Sequence, residues 1–267
     1  MPLHALEVRV LPQSPQLGDT LEILVEPDAE NPGPPERITF RGQDYPTHSI
    51  GGDRYRALIP TTPLDDPGRV DLKVFGSGPK VRNLLVWLRN RSFPTQRIWL
   101  SGSANRPATD FELQSVAELK ALVTPEKYWQ GAFLAPSQGR VSTIFGVRRY
   151  YNGDFAENYY HRGVDYAAGT GAPVVAPAAG RVALIGREAE GFHVHGNTVG
   201  IDHGQGVISI FLHLNAIDVQ PGMTVSAGQR IGTIGSTGAS TGPHLHWGLY
   251  VNGQAVDPVP WRNGRIQ

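Results

Sequence analysis

The sequence predicts an all-β protein, mainly antiparallel, and three observations carry that prediction. From Leu6 to about Arg89, short runs of alternating apolar and polar residues are separated by turns such as Gly18-Asp19, Gly51-Gly52-Asp53 and Pro67-Gly68. From Gly139 onward, runs rich in glycine and β-branched residues are joined by tight turns such as Asp202-His203-Gly204 and Pro221-Gly222. Between the two lies one stretch with apolar residues at helical spacing.

Taken in order, strands are expected at 6–11, 20–25, 37–40, 55–59, 70–75 and 81–88. Their spacing is that of an immunoglobulin-like β-sandwich, assigned to residues 1–90. No acid/base or ligand cluster falls in it, and its lone loop histidine, His48, reads as solvated. Residues 91–131 read as a connector. Within it Thr109-Asp110-Phe111-Glu112 matches a capping box, with Thr109 as N-cap and Glu112 at N3, followed by Val116, Leu119, Leu122 and Val123. One short helix is therefore expected over about 110–123, ended by Thr124-Pro125. Trp129 and Phe133 are expected to dock the connector by packing. Residues 132–267 read as a β-sheet or partly closed barrel, with strands at 141–145, 173–176, 180–185, 198–202, 207–212, 230–234 and 245–251.

Composition narrows the function. Twenty-four basic and 24 acidic residues balance to a net charge of zero, so bulk electrostatics gives no reason to expect a nucleic-acid or anionic-membrane partner. The absence of cysteine excludes disulfides and thiolate ligands and leaves the redox compartment open. The first residues, Met-Pro-Leu-His-Ala-Leu-Glu, contain neither a basic nor an apolar leader segment, so no signal peptide is expected. That suits either a cytosolic protein or a mature form with an added Met.

The chemistry is concentrated in the last region, where seven of the nine histidines fall between 161 and 246. In Gly242-Pro243-His244-Leu245-His246-Trp247 the two imidazoles are two positions apart in a β-type run, so they project from one face while Leu245 and Trp247 pack behind. In His161-Arg162-Gly163-Val164-Asp165 the ends of an extended segment would lie ~13 Å apart, too far to share an ion. The segment must bend, and Gly163 permits it. Two neutral imidazoles and a carboxylate suit zinc with a fourth position left for water. His213 is delivered to a strand end by 207–212. His203 sits in a turn and reads as a structural hydrogen-bonding residue. A second pair, His193-Val194-His195, is flanked by glycines like a hairpin tip and has no carboxylate at comparable spacing, so it reads as groove lining.

His161-x-Gly-x-Asp165, Phe211-Leu212-His213-Leu214 and Ser236-Thr-Gly-x-Ser-Thr-Gly-Pro-His244-Leu-His246 stand in the order and spacing of lysostaphin-like zinc metalloendopeptidases, which residues 132–261 resemble. The resemblance implies one zinc ion held by His161, Asp165 and His246, with His213 and His244 as catalytic histidines. It also implies a peptidoglycan substrate and a place outside the cytoplasmic membrane: periplasm, cell envelope or exterior. It puts a tyrosine of the loop containing Tyr150, Tyr151, Phe155, Tyr159 and Tyr160 opposite the metal, whereas Arg148, Arg149 and Arg162 read as solvated surface. Two features depart from the family pattern: Phe211-Leu212 stands where Tyr-Ala is frequent, and the turn 187–197 is enlarged. Some relatives have lost ligands and act as non-catalytic peptidoglycan-binding or amidase-activating modules. That alternative is disfavoured here by the retention of all five residues, and an adhesin-like role led by the sandwich is a third.

Overall fold

A computed structural model of the chain describes residues 6–99 and 106–266. Five of the seven residues read for a leader, and residues 100–105 of the stretch read as a connector, lie outside these. The chain divides into two compact units, 1–92 and 93–267.

The first unit has eight strands: β1 (Glu7–Leu11), β2 (Thr20–Glu26), β3 (Arg37–Phe40), β4 (Gln43–Tyr45), β5 (His48–Gly51), β6 (Arg54–Pro60), β7 (Gly68–Phe75) and β8 (Val81–Leu88). They form two four-stranded antiparallel sheets, β1-β2-β6-β5 and β4-β3-β7-β8. Alternation selects the core: Leu21, Ile23 and Val25 from one sheet, and Ile38, Phe40, Leu72 and Val74 from the other, are excluded from solvent or nearly so. His48 departs from expectation. It lies in β5 rather than a loop, is buried, and burial lowers its pKa.

The second unit contains β9 (Thr95–Ile98), α1 (Asp110–Lys120), β10 (Arg140–Thr143), β11 (Arg148–Tyr151), β12 (Asp154–Phe155), β13 (Val164–Ala167), β14 (Pro173–Val175), β15 (Gly180–Gly186), β16 (Thr198–Gly204), β17 (Val207–Leu212), β18 (Leu214–Ile217), β19 (Thr224–Val225), β20 (Arg230–Ile234), β21 (His244–Val251), β22 (Gln254–Val256) and α2 (Pro258–Arg262). Its main sheet runs β10-β13-β21-β17-β16-β15-β19 and is open at both ends, not a barrel. β21 is its spine: β17 pairs along one edge, while β13 and then β22 share the other. Small sheets β12-β11-β9 and β14-β20-β18 flank it.

The stretch read as a connector lies within this unit. β9 pairs in parallel with β11, and Trp129 and Phe133 are buried against Trp261. Helix α1 begins as expected, with Thr109 Oγ1 accepting from the Glu112 N–H at 3.1 Å. The other half of the capping box does not form, because the Glu112 carboxylate turns to the loop 193–195 instead.

Candidate metal centre and catalytic site

Three neighbouring strands bring the chemistry together. Asp165 on β13 lies opposite His246 on β21, and His246 lies opposite Leu212, the last residue of β17. His244 and His246 occupy one face of β21, and Leu245 and Trp247 on the other are excluded from solvent, which fixes the strand. Burying two such side chains contributes on the order of 1.5–3 kcal/mol each.

His161 ends the loop that precedes β13. Its Nδ1 donates to the Ile144 carbonyl at 2.8 Å. A carbonyl only accepts, so the proton sits on Nδ1 and Nε2 of the neutral ring is a bare lone pair. That lone pair faces Asp165 Oδ1 at 2.9 Å and His246 Nδ1 at 3.0 Å, and the latter two atoms are 2.8 Å apart. An anion and lone pairs crowd one point there, and a cation resolves the crowding. The triangle's edges are slightly shorter than the ~3.3 Å between ligands of a tetrahedral zinc with bonds of ~2.0–2.1 Å. The donor set and its convergence therefore fit zinc. Among the described residues, this is the group of His, Cys, Asp and Glu side chains that meets in this way.

Gly163 serves differently from the expectation. Its φ is not left-handed. A Cβ there would meet the Trp247 carbonyl oxygen at 2.3 Å and His246 Nε2 at 2.8 Å, so glycine is required for the close approach of the loop to β21.

The remaining two imidazoles stand beside the triangle. His213 and His244 have ring centroids 4.8 Å apart, and His213 lies 6.5 Å from His246. His213 Nδ1 donates to the Thr237 carbonyl at 2.8 Å and His244 Nδ1 to the Gly242 carbonyl at 2.8 Å. Both rings therefore present a bare Nε2 when neutral. Burial, reinforced by His244 and His246, pushes the pKa of His213 down to about 3, so it is neutral at pH 7. Its backbone is left-handed, φ 64°, an uncommon state for a residue with a Cβ. The His195 carbonyl, accepting from the His213 N–H at 3.0 Å, helps enforce it.

Three residues near the site were not legible as such in the sequence. Glu112, with no exposed surface, accepts from the N–H groups of His193, Val194 and His195 and from His195 Nδ1 at 2.6 Å. The carboxylate partner thought absent from the second His-x-His thus comes from α1. His193 Nε2 accepts from Arg106 at 2.6 Å, so both rings are engaged. Thr237 ties the enlarged turn to His213, accepting from the Asn197 N–H at 2.9 Å. Arg149 is not solvated surface: its side chain is 12% exposed and ion-pairs with Asp165 Oδ2 at 3.6 Å. Arg148 donates to the Tyr159 carbonyl at 3.0 Å, and Arg162 lies over the Tyr159 ring. Of the aromatic loop, Tyr151 contacts Arg149 and packs on Tyr159. Tyr150 packs on Phe155, and Tyr160 is core, donating to the Ala255 carbonyl.

Comparison with known proteins places this arrangement. Residues 159–258 match Peptidase family M23. Over 99 residues the chain is 42% identical to the peptidoglycan DD-endopeptidase ShyA of Vibrio cholerae, covering 37% of this chain and 22% of that protein. The chain spans only about a fifth to a quarter of the length of several of the curated relatives it matches. A Pseudomonas aeruginosa structure assigned to peptidase M23 is similar throughout: 28% identity, 95% of this chain and 96% of that one, TM-score 0.68. The catalytic domain of lysostaphin from Staphylococcus simulans is 32% identical, covering 50% of this chain and 90% of that one, with a TM-score of 0.36. With the family's motif residues gathered at one strand-end site, residues 159–258 of the C-terminal unit form a peptidase family M23 domain.

Proposed function

We propose that the chain is a zinc-dependent endopeptidase that hydrolyses peptide bonds in the stem peptides or cross-bridges of bacterial peptidoglycan, acting in the periplasm, the cell envelope or outside the cell. The observation that carries the reading is the convergence of the His161, Asp165 and His246 donor atoms beside two imidazoles whose Nε2 lone pairs are free. Those three residues would hold the ion. When bound, zinc supplies Lewis-acid polarisation of the scissile carbonyl and acidifies an attacking water.

The protein's own groups do the rest. His213, kept neutral by burial, accepts a proton at Nε2 from the attacking water, and its Nδ1–H on Thr237 keeps that lone pair available as the reaction proceeds. His213 then returns that proton from Nε2 to the leaving amine, and His244, held through Gly242, offers a second Nε2 acceptor beside it. The ShyA similarity supports the peptidoglycan substrate. Among the described residues no helix is long and apolar enough to cross a membrane.

Digestion of purified sacculi, with muropeptides resolved by mass spectrometry, tests the reading. New amino termini are expected with the zinc-loaded protein, none with chelator, and far slower release with His213→Ala. Stoichiometric zinc without cleavage of any of several peptidoglycan chemistries would replace the enzyme with a wall-binding module.

A further inference from the structure

Asp165 presents its two oxygens to different partners. Oδ1 is a corner of the donor triangle, whereas Oδ2 faces Arg149 Nη2 at 3.6 Å. The guanidinium is itself held at its other nitrogens. Nε donates to Gln96 Oε1 at 3.3 Å and Nη1 to Tyr151 Oη at 3.2 Å. Gln96 is the in-register partner of Arg149 across the parallel β9–β11 pair, and alternation along β11 puts Tyr151 on the same face. Each nitrogen of the fork thus has a partner of its own, from three different elements.

We propose that Arg149 is a positioning residue for the metal site: it holds Oδ2 away from the ion, so that Asp165 binds through Oδ1 alone. This rests on His161, Asp165 and His246 being the ligands. The consequence is chemical. A carboxylate free to turn can chelate through both oxygens and fill the fourth position with a protein atom, and an open fourth position is what distinguishes a catalytic zinc site from a structural one. A point charge could neutralise Oδ2, but the planar fork also fixes direction, because its remaining donors are anchored on Gln96 and Tyr151. Arg149 and Gln96 both precede the residues matched by the family, so this chain completes its site from outside the family's core.

The test uses the full chain, stripped of metal and reloaded. Zinc affinity is measured by competition with a chromophoric chelator, and the visible spectrum of the Co2+-substituted protein reports coordination number. Wild type is expected to give the intense bands of four-coordinate cobalt. Arg149→Met should give the weaker bands of a higher-coordinate ion and bind zinc ~10- to 100-fold less tightly, with Arg149→Lys recovering only part of each. An unchanged cobalt spectrum in Arg149→Met overturns the proposal whatever the affinity does. If that variant does not fold, Gln96→Ala, which removes one anchor and keeps the charge, decides by the same spectrum. Failure of the underlying reading looks different: wild type would take up no stoichiometric metal, or Asp165→Ala would keep it.

Discussion

His161, His213 and His244 share one device: Nδ1 is spent on a backbone carbonyl, so Nε2 is the atom left for chemistry. What the freed atom does depends on whether an anion stands opposite. His161 Nε2 meets Asp165 and His246, whereas those of His213 and His244 do not. His161→Ala, Asp165→Ala and His246→Ala are therefore expected to lose zinc, measured by metal analysis after dialysis. His213→Ala and His244→Ala should keep zinc and fold but turn over ~10²- to 10⁴-fold more slowly. A full metal site in His246→Ala with an empty one in His244→Ala would reverse their roles. Four of the five could be paired from linear order, His244 and His246 two positions apart on one strand and His161 and Asp165 four apart across a bend, while His213 and the division of roles came from the family resemblance. Arg149 was not legible. Its significance lies in a contact with a residue 16 positions later on another strand, and an arginine in a tyrosine-rich loop carries no mark of burial.

At the scale of elements, α1 acts as a clamp. Glu112 gathers three consecutive N–H groups of the turn 193–195, and the carbonyl that closes this turn receives the N–H of His213. Burial alone would raise the Glu112 pKa, but hydrogen bonds from His195 and Val194 lower it, so the carboxylate is ionised at neutral pH. Glu112→Ala leaves those donors unpaired in a largely closed site. It should cost on the order of 2–4 kcal/mol of stability, and it should slow turnover more than it weakens zinc binding. Thermal unfolding and kinetics on one preparation check both. The helix and its N-cap could be read from Thr109 and the apolar spacing. The clamp could not, because the same Glu112 satisfies the local rule of a capping box and nothing in the linear order announces a turn some 80 residues away. A second element-level device backs β21. Trp247 Nε1 donates to Ser209 Oγ, Ser209 donates to His203 Nε2, and His203 Nδ1 donates to the Ala179 carbonyl. The chain works in one direction only, with a neutral imidazole. Burial pushes the His203 pKa down to about 4 from the ordinary 6.5, so its contribution to stability is complete above about pH 6.5. That contribution is lost as the pH falls toward 4, because the unfolded chain takes up the proton first. The unfolding midpoint should drop over this interval, and the drop should shrink in His203→Gln.

At the scale of the molecule, the catalytic unit is larger than its motifs. Strand alternation and turn chemistry sufficed to place six of the first unit's eight described strands but only seven of the second's fourteen, and the division near residue 90 coincides with a change in texture. What they could not supply was the allegiance of residues 91–131, which have the polar, proline-punctuated look of a linker. In the fold this stretch provides β9 to pair with β11, Glu112 to hold the turn and Trp129 to fill the core beside Trp261. Two shortened chains separate linker from component. One beginning at Asn90 retains every one of these contacts and is expected to fold and to bind one zinc ion with the affinity of the full chain. One beginning at Ala132 still contains all five histidine and aspartate residues, yet loses the partner strand of β11, the Glu112 carboxylate and the buried Trp129. It is expected to unfold at a much lower temperature and to bind zinc weakly or not at all. Equal melting temperatures and zinc stoichiometries for the two would show that residues 91–131 only tether the units, and would leave the site standing on its motifs alone.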